Sequence, residues 1–274
     1  MTQNDLKQSP LGQKVQYPTR YDPSLLFPIE RAANRTSLLL PDIWFGQDVW
    51  TAYELSWLNA KGKPIAMIGE IALPWDSPKL IESKSLKLYL NSFNEVRFND
   101  VKEVKQIIET DLSKVAEAPV SVRLYELNPY DGPMMSRLEG ENIDHLDIEV
   151  SHYTPNASLL HCIENADTVH ETLVSDLLKS NCPETGQPDW GSVQITYTGK
   201  QIAAESLLAY IVSFRHHTEF HEHCVERMYS DIMAQCAPES LMVQARYTRR
   251  GGLDINPWRS SQKIAMPSMR TPRQ

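Results

Sequence analysis

No apolar run in the 274-residue chain approaches the length a membrane-spanning helix needs, and the polar start, Met1 to Gln8, carries no apolar core of the kind a secretory signal has. A membrane is therefore not an expected partner, and the expected location is the cytoplasm. Cysteine is scarce. Cys162, Cys182, Cys224 and Cys236 are too few and too scattered for a disulfide framework, and no two make a Cys-x-x-Cys pair. Positive charge is in deficit, with 27 Lys and Arg against 35 Asp and Glu and a net charge of −8, which argues against a broad nucleic-acid surface. Any anionic partner must be small and met locally. Nowhere is there a Gly-x-Gly-x-x-Gly, so a dinucleotide, if bound, is not held by a Rossmann loop. What is present, 41% hydrophobic and 23% charged residues, is the mix of a globular chain with room for two ordinary cores.

Residues 1–41 are polar and rich in Pro, Asn, Ser and Arg, and read as a tail and wrapping segment with little structure of its own. In a first module, residues 42–153, the odd positions Val49 to Trp57 share one face of a strand, and Pro64 to Leu73 completes a hairpin. Leu86, Tyr89, Leu90 and Phe93, then Val101, Val104, Ile108 and Leu112, fall at helical spacing. Alternation returns at Val120, Val122 and Leu124 and again near Ile143 to Val150, giving the order ββααββ. The second module, residues 154–262, repeats it. Leu207, Tyr210, Ile211 and Phe214 have the spacing of the first helix of module one, each 121 residues later, and Ser85 and Ser92 match Ser206 and Ser213 at the same offset. Residues 263–274 read as a disordered C-terminal tail. The pattern predicts an α+β protein of two duplicated modules, each with antiparallel strands and helices on one face.

Four stretches carry candidate chemistry. In Ser180 to Trp190, Pro183, Gly186 and Pro188 force a turn that puts Cys182 and Asp189 at its two lips. The pair suits a thiolate nucleophile beside a proton donor, while a lone cysteine is also an ordinary buried hydrophobe. Arg215 to Cys224 holds four of the eight histidines. His217 and His221 stand at i, i+4 with Cys224 following, which opens a metal reading; a solvated helix end, or His221 and Glu222 hydrogen-bonding a polar heterocycle, are the alternatives. Glu82, Ser83 and Lys84 precede an apolar helical face, where free backbone N–H groups and a lysine could receive an anion or simply cap the helix. Arg249, Arg250, Gly251 and Gly252 are either a phosphate clamp or a turn between strands.

Taken together, Glu82 to Tyr89, Ser180 to Trp190, Ser213 to Glu222 and Tyr247 to Pro257 resemble the NADPH-dependent 7-cyano-7-deazaguanine reductases, in their long two-module form, from about Tyr21 to Arg259. The resemblance implies two tandem tunnelling-fold modules and reduction of the nitrile of 7-cyano-7-deazaguanine to an aminomethyl group, with two NADPH consumed, on the way to the tRNA base queuosine. It assigns Cys182 to a covalent thioimide and Asp189 to protonation of the nitrile nitrogen, with His221 assisting. Ile81, Glu82, Ser83, His221 and Glu222 would bind substrate, and Ser83, Lys84, Arg250 and Gly251 would bind NADPH, with no metal required. A homodimer is implied as well. Because Ala203 stands at the repeat equivalent of Glu82 and module one has no cysteine, one composite site per chain is expected. A zinc-dependent cyclohydrolase-like enzyme of the same superfamily is the main alternative, and a non-catalytic purine-binding module is another.

Overall fold

The structure, a computed structural model, describes residues 18–274; the polar start read above lies outside them. It is a mixed α+β chain with mostly antiparallel strands that divides into two compact units. The first holds the described residues up to Asn34, Asp48–Met134 and Arg249–Ile255; the second holds Arg35–Gln47, Met135–Thr248 and Asn256–Gln274. In chain order come β1 (Pro28–Glu30), α1 (Arg31–Arg35), β2 (Phe45–Asn59), β3 (Pro64–Pro74), β4 (Lys79–Ile81), α2 (Ser83–Asn91), β5 (Arg97–Phe98), α3 (Val101–Ala116), β6 (Ser121–Glu126) and β7 (Met134–Met135). There follow β8 (Glu141–Asn142), β9 (Thr168–Asn181), β10 (Pro188–Lys200), α4 (Ala204–Ser213), α5 (His221–Cys236), β11 (Ser240–Tyr247), β12 (Leu253–Ser260) and β13 (Met269–Arg270). Among the described residues no helix is long and apolar enough to cross a membrane.

In the first unit β3 pairs antiparallel with β6. The helical stripes read from the sequence are the buried ones: Leu86, Tyr89, Leu90 and Phe93 on and after α2, and Val104, Ile108 and Leu112 on α3. Each such side chain taken fully from water contributes roughly 1.5–3 kcal/mol. Asp100 caps α3 by accepting from the Lys102 N–H, and Glu117, left-handed at φ 56°, ends it. The strand face at Val49 to Trp57 departs from the expectation. Trp50 and Ala52 are buried, then Leu55 and Trp57, so the buried side changes parity midway. Tyr53 is turned to the other side, where its hydroxyl donates to Asp254 at 2.6 Å and Arg249 lies 4.5 Å over its ring.

In the second unit β9, β10 and β11 form an antiparallel sheet, with the end of β12 paired to β11. The residues facing α4 and α5 make one core with Leu207, Tyr210, Ile211, Phe214, Cys224, Met228 and Ile232. Internal contacts of the first unit recur here. Tyr89 donates to Asp111 and Tyr210 to Asp231, both at 2.6 Å, and Ser92 and Ser213 each donate to the carbonyl of that tyrosine at 2.6 Å. Helices α3 and α5 are both 16 residues long and both end on a left-handed residue, Glu117 and Ala237.

Three segments differ from the sequence reading. The stretch Ile143 to Val150 is not a strand: only Glu141–Asn142 pairs, parallel to β9, after which Ile143, Leu146 and Ile148 pack on the core of the second unit. Residues 135–153, read as part of module one, accordingly belong to that unit. The described part of the N-terminal tail is built rather than loose. Asp22 caps a 3-10 turn at Pro23–Leu25, and Phe27 bonds both the Glu82 N–H and the Ser85 hydroxyl. The C-terminal tail is pinned too, since the Gln274 amide donates to the Tyr247 carbonyl at 3.1 Å and Arg273 to the Asp176 carbonyl at 2.8 Å.

Candidate active site

The hairpin of β9 and β10 decides which side chains meet in the second unit. Asp189 pairs with Ser180, Gly191 with Leu178, and on the other side Gly191 with Tyr247 and Val193 with Ala245. Side chains of paired residues share a face. Ser180 and Leu178 therefore line up beside Asp189 and Gly191, with Cys182 two residues beyond Ser180 in the chain, and Gly191 and Val193 stand beside Tyr247 and Ala245. Most of that face is apolar core, but its last rungs are polar, and Ser180, Cys182, Asp189 and Tyr247 are all at most 5% exposed. The connecting loop closes with the Cys182 N–H on the Gln187 carbonyl at 2.9 Å and the Gly186 N–H on the Cys182 carbonyl at 3.0 Å. Gly186 sits at φ +66°, a conformation glycine adopts without strain. Cys182 and Asp189 are thus diagonal neighbours at the mouth of one hairpin, as the turn chemistry predicts.

Helix α5 is brought to this mouth by backbone pairing. The Asn181 N–H donates to the His217 carbonyl at 2.8 Å and the Glu219 N–H to the Asn181 carbonyl at 3.2 Å, which places the first turn of α5 against the end of β9. His221 and Glu222, each 3% exposed, open that helix. His221 Nε2 lies 3.6 Å from Asp189 Oδ2, so the two are an ion pair when the imidazole is protonated. Beneath them burial pushes the Cys224 thiol up to about 12, with the Glu219 charge acting the same way and the Ser180 and Tyr247 hydroxyls opposing it. That sulfur is a thiol at neutral pH.

A different set assembles in the first unit. Ile81 closes β4, and Glu82 caps α2 by accepting from the Lys84 N–H on one carboxylate oxygen and the Ser85 N–H on the other, both at 2.8 Å. Burial raises the Glu82 pKa, and the two backbone donors with the Arg250 and Lys84 charges only partly offset it. Arg250 and Leu253 exchange backbone hydrogen bonds at 3.0 and 3.2 Å around Gly251 and Gly252, at φ 60° and 78°, a two-residue turn of the type I′ kind. A Cβ on Gly251 would come to 3.1 Å from Lys87 Cδ, and one on Gly252 to 2.4 Å from Glu54 Cδ. Glycine thus lets the turn press against the Lys87–Glu54 ion pair, which closes at 2.7 Å. Ser83, Lys84, Arg250 and Gly251 share this unit with Ile81 and Glu82.

The metal reading of the histidine cluster loses its geometric basis. His217 precedes the helix, with extended backbone after a 3-10 turn, so it shares no helical face with His221. Burial, aided by the Arg227 charge, lowers its pKa to about 4. His223 turns to Glu219 at 3.5 Å. Among the described residues no group of three or more His, Cys, Asp or Glu converges as an ion would require. Two residues of the site were not singled out from the sequence: Tyr247 and Ser180. Their only signal is position at the polar end of an otherwise apolar alternation.

Comparison with known proteins gives consistent matches. Residues 17–124 match the family described as nitrile reductase, 7-cyano-7-deazaguanine-reductase N-term, and residues 188–266 one described as QueF-like protein. An NADPH-dependent 7-cyano-7-deazaguanine reductase of Bordetella parapertussis is 53% identical over 98% of this chain and 99% of its own length. One of Ralstonia nicotianae is 51% identical over 97% and 98%. A crystal structure of an archaeosine synthase, QueF-like, in the apo form matches 37% of this chain and all of its own at 17% identity and a TM-score of 0.32, too slight a likeness to carry an argument.

Proposed function

The chain belongs to the family of NADPH-dependent 7-cyano-7-deazaguanine reductases, and from that premise we propose that it reduces the nitrile of 7-cyano-7-deazaguanine to the aminomethyl group through a covalent bond to Cys182, in the supply of queuosine for tRNA. The observation that carries the covalent route is the buried face on which Cys182, Asp189 and, from α5, His221 meet. A nitrile carbon is an electrophile suited to a thiolate. In the proposed step the Cys182 sulfur bonds to that carbon as its S–H bond breaks, the nitrile nitrogen takes a proton from Asp189, and the carboxylate so formed takes the thiol proton, giving a neutral thioimide. His221 beside Asp189 holds the carboxyl in place and hydrogen-bonds the substrate. Glu82 and Glu222 accept from the N–H groups of the deazaguanine ring, with Ile81 and Ser83 beside them; each oxygen of Glu82 has a second lone pair beyond its capping bond. Burial of these groups keeps water from hydrolysing the imine that follows the thioimide.

The donor set of the first unit suits a phosphorylated dinucleotide. Ser83 at the first turn of α2, the Lys84 ammonium, the Arg250 guanidinium and the backbone of the Gly251 turn are the chemistry that holds phosphates without a Rossmann loop. When bound there, NADPH supplies the two hydrides that carry a nitrile to an amine. We further read each unit as a tunnelling-fold module, supported by the recurring Tyr–Asp and Ser–carbonyl bonds. A cytoplasmic homodimer acting on a small molecule completes the reading. The deciding experiment is NADPH oxidation in the presence and absence of the nitrile: oxidation that depends on nitrile, with two NADPH consumed per amine, is expected. Nitrile-independent oxidation, or none, would remove the proposal.

A further inference from the structure

Tyr247 has no part in the chemistry above, yet it is built into the same face. It is the last residue of β11, 1% exposed, and stands directly opposite Gly191, two residues along β10 from Asp189. Its ring centroid lies 4.1 Å from that of His221, with the planes at 84°, an edge-to-face contact that leaves the imidazole little freedom to tilt. His221 meanwhile presents Nε2 to Asp189 at 3.6 Å. The hydroxyl at the other end of the tyrosine is buried with no hydrogen-bond partner among the described residues, so it is packing that holds the ring.

Gly191 explains how the ring fits. Its backbone is not left-handed, so the turn geometry that calls for glycine elsewhere in the chain does not apply. The reason is space. A Cβ at Gly191 would stand 3.1 Å from Tyr247 Cδ1 and 3.3 Å from both Tyr247 Cε1 and the Arg246 carbonyl oxygen. Alanine would have to displace the ring by a few tenths of an ångström, and the ring is what His221 leans on.

We propose that Tyr247, admitted by Gly191, is a positioning residue: its ring sets the His221 imidazole against Asp189 and so fixes the carboxyl that delivers the proton to the nitrile nitrogen. This rests on the reductase reading. Tyr247 is given no bond to the substrate in this reading, so its removal should lower kcat by more than it raises KM for the nitrile, the rise being limited to the share of binding that His221 supplies. A small misplacement of a catalytic group costs on the order of tenfold to a hundredfold in rate. The test uses the full chain and three variants, Tyr247→Phe, Tyr247→Leu and Gly191→Ala, with melting curves to establish folding. Expected are near wild-type turnover for Tyr247→Phe, which keeps the ring, a loss of about tenfold or more in kcat for Tyr247→Leu, and a smaller loss for Gly191→Ala, where the ring is only displaced. Should Tyr247→Leu fail to fold, Gly191→Ala against Tyr247→Phe carries the test. The proposal is overturned if Tyr247→Leu or Gly191→Ala folds and keeps full kcat, if KM rises instead of kcat falling, or if Tyr247→Phe loses as much as Tyr247→Leu. Wild type is assayed first. Absence of nitrile-dependent NADPH oxidation there removes the reductase reading, whereas wild-type turnover with an undiminished Tyr247→Leu removes only the role of Tyr247.

Discussion

Replacing Glu82 separates a structural duty from a binding one. Its carboxylate accepts the Lys84 and Ser85 N–H groups at 2.8 Å, so Glu82→Leu uncaps α2. Losing an N-cap costs about 0.5–2 kcal/mol. The second unit shows that such a helix still forms without the cap, because Ala203 holds the equivalent place before α4 and makes no side-chain capping bond. A cost near 1 kcal/mol lowers the melting temperature by roughly 2–4 °C in a chain of this size. Binding should suffer more. A charged acceptor lost from ring N–H groups costs about 1.5–3 kcal/mol, which is roughly tenfold to a hundredfold in Kd. Calorimetric titration with 7-cyano-7-deazaguanine at a temperature well below melting gives the second number, and melting without ligand gives the first. Because burial raises the Glu82 pKa above that of an ordinary carboxyl group, wild-type affinity should also begin to fall at a higher pH than an exposed carboxylate would produce, and that slope should vanish in the variant. A folded Glu82→Leu that binds the deazapurine as tightly as wild type would refute the binding role and leave only the cap.

Substrate mixed with protein in the absence of NADPH should add one 7-cyano-7-deazaguanine mass; Cys182→Ala should show no adduct and no turnover, and an adduct that survives in it would rule out Cys182. Asp189→Asn should bind substrate but reduce it slowly or not at all, since it keeps the shape and loses the proton, and undiminished turnover would take Asp189 out of the chemistry. Glu226 is buried between Arg35 at 2.6 Å and Arg259 at 2.8 Å; burial pushes its pKa up, but the two guanidiniums outweigh this and hold it well below the usual carboxylate range. A folded value below the unfolded one means stability that is full above the unfolded pKa and lost as pH falls through the folded one. Glu226→Gln, which strands Arg259, should therefore cost about 3–5 kcal/mol at neutral pH and flatten the acid limb of the melting profile, and an unchanged acid limb would count against the network. Dialysis against a strong chelator should leave activity intact; a loss reversed specifically by zinc would mark the protein as a metal enzyme.

Local periodicity and turn chemistry determined much by themselves. The stripes of α2, α3 and α4 could be read because side chains three and four apart must share a helical face, and the Cys182–Asp189 hairpin because Pro183, Gly186 and Pro188 leave few conformations open. The duplication showed in the 121-residue offset, and Glu82 and Ala203 do occupy the same N-cap position before α2 and α4. Only the tertiary structure decided what depends on pairing between distant segments. That His221 faces Asp189, and that Gly191 makes room for Tyr247 56 residues later in the chain, follows from the register of β9, β10 and β11, which no local pattern states. The parity change along β2 and the exclusion of His217 from α5 are of the same kind: both strand faces and both helix starts were compatible with the residues, and long-range hydrogen bonds chose between them. The wrapping segment around Phe27 was misjudged for that reason as well, since polar residues look unstructured until their partners, the Glu82 N–H and the Ser85 hydroxyl, are brought beside them.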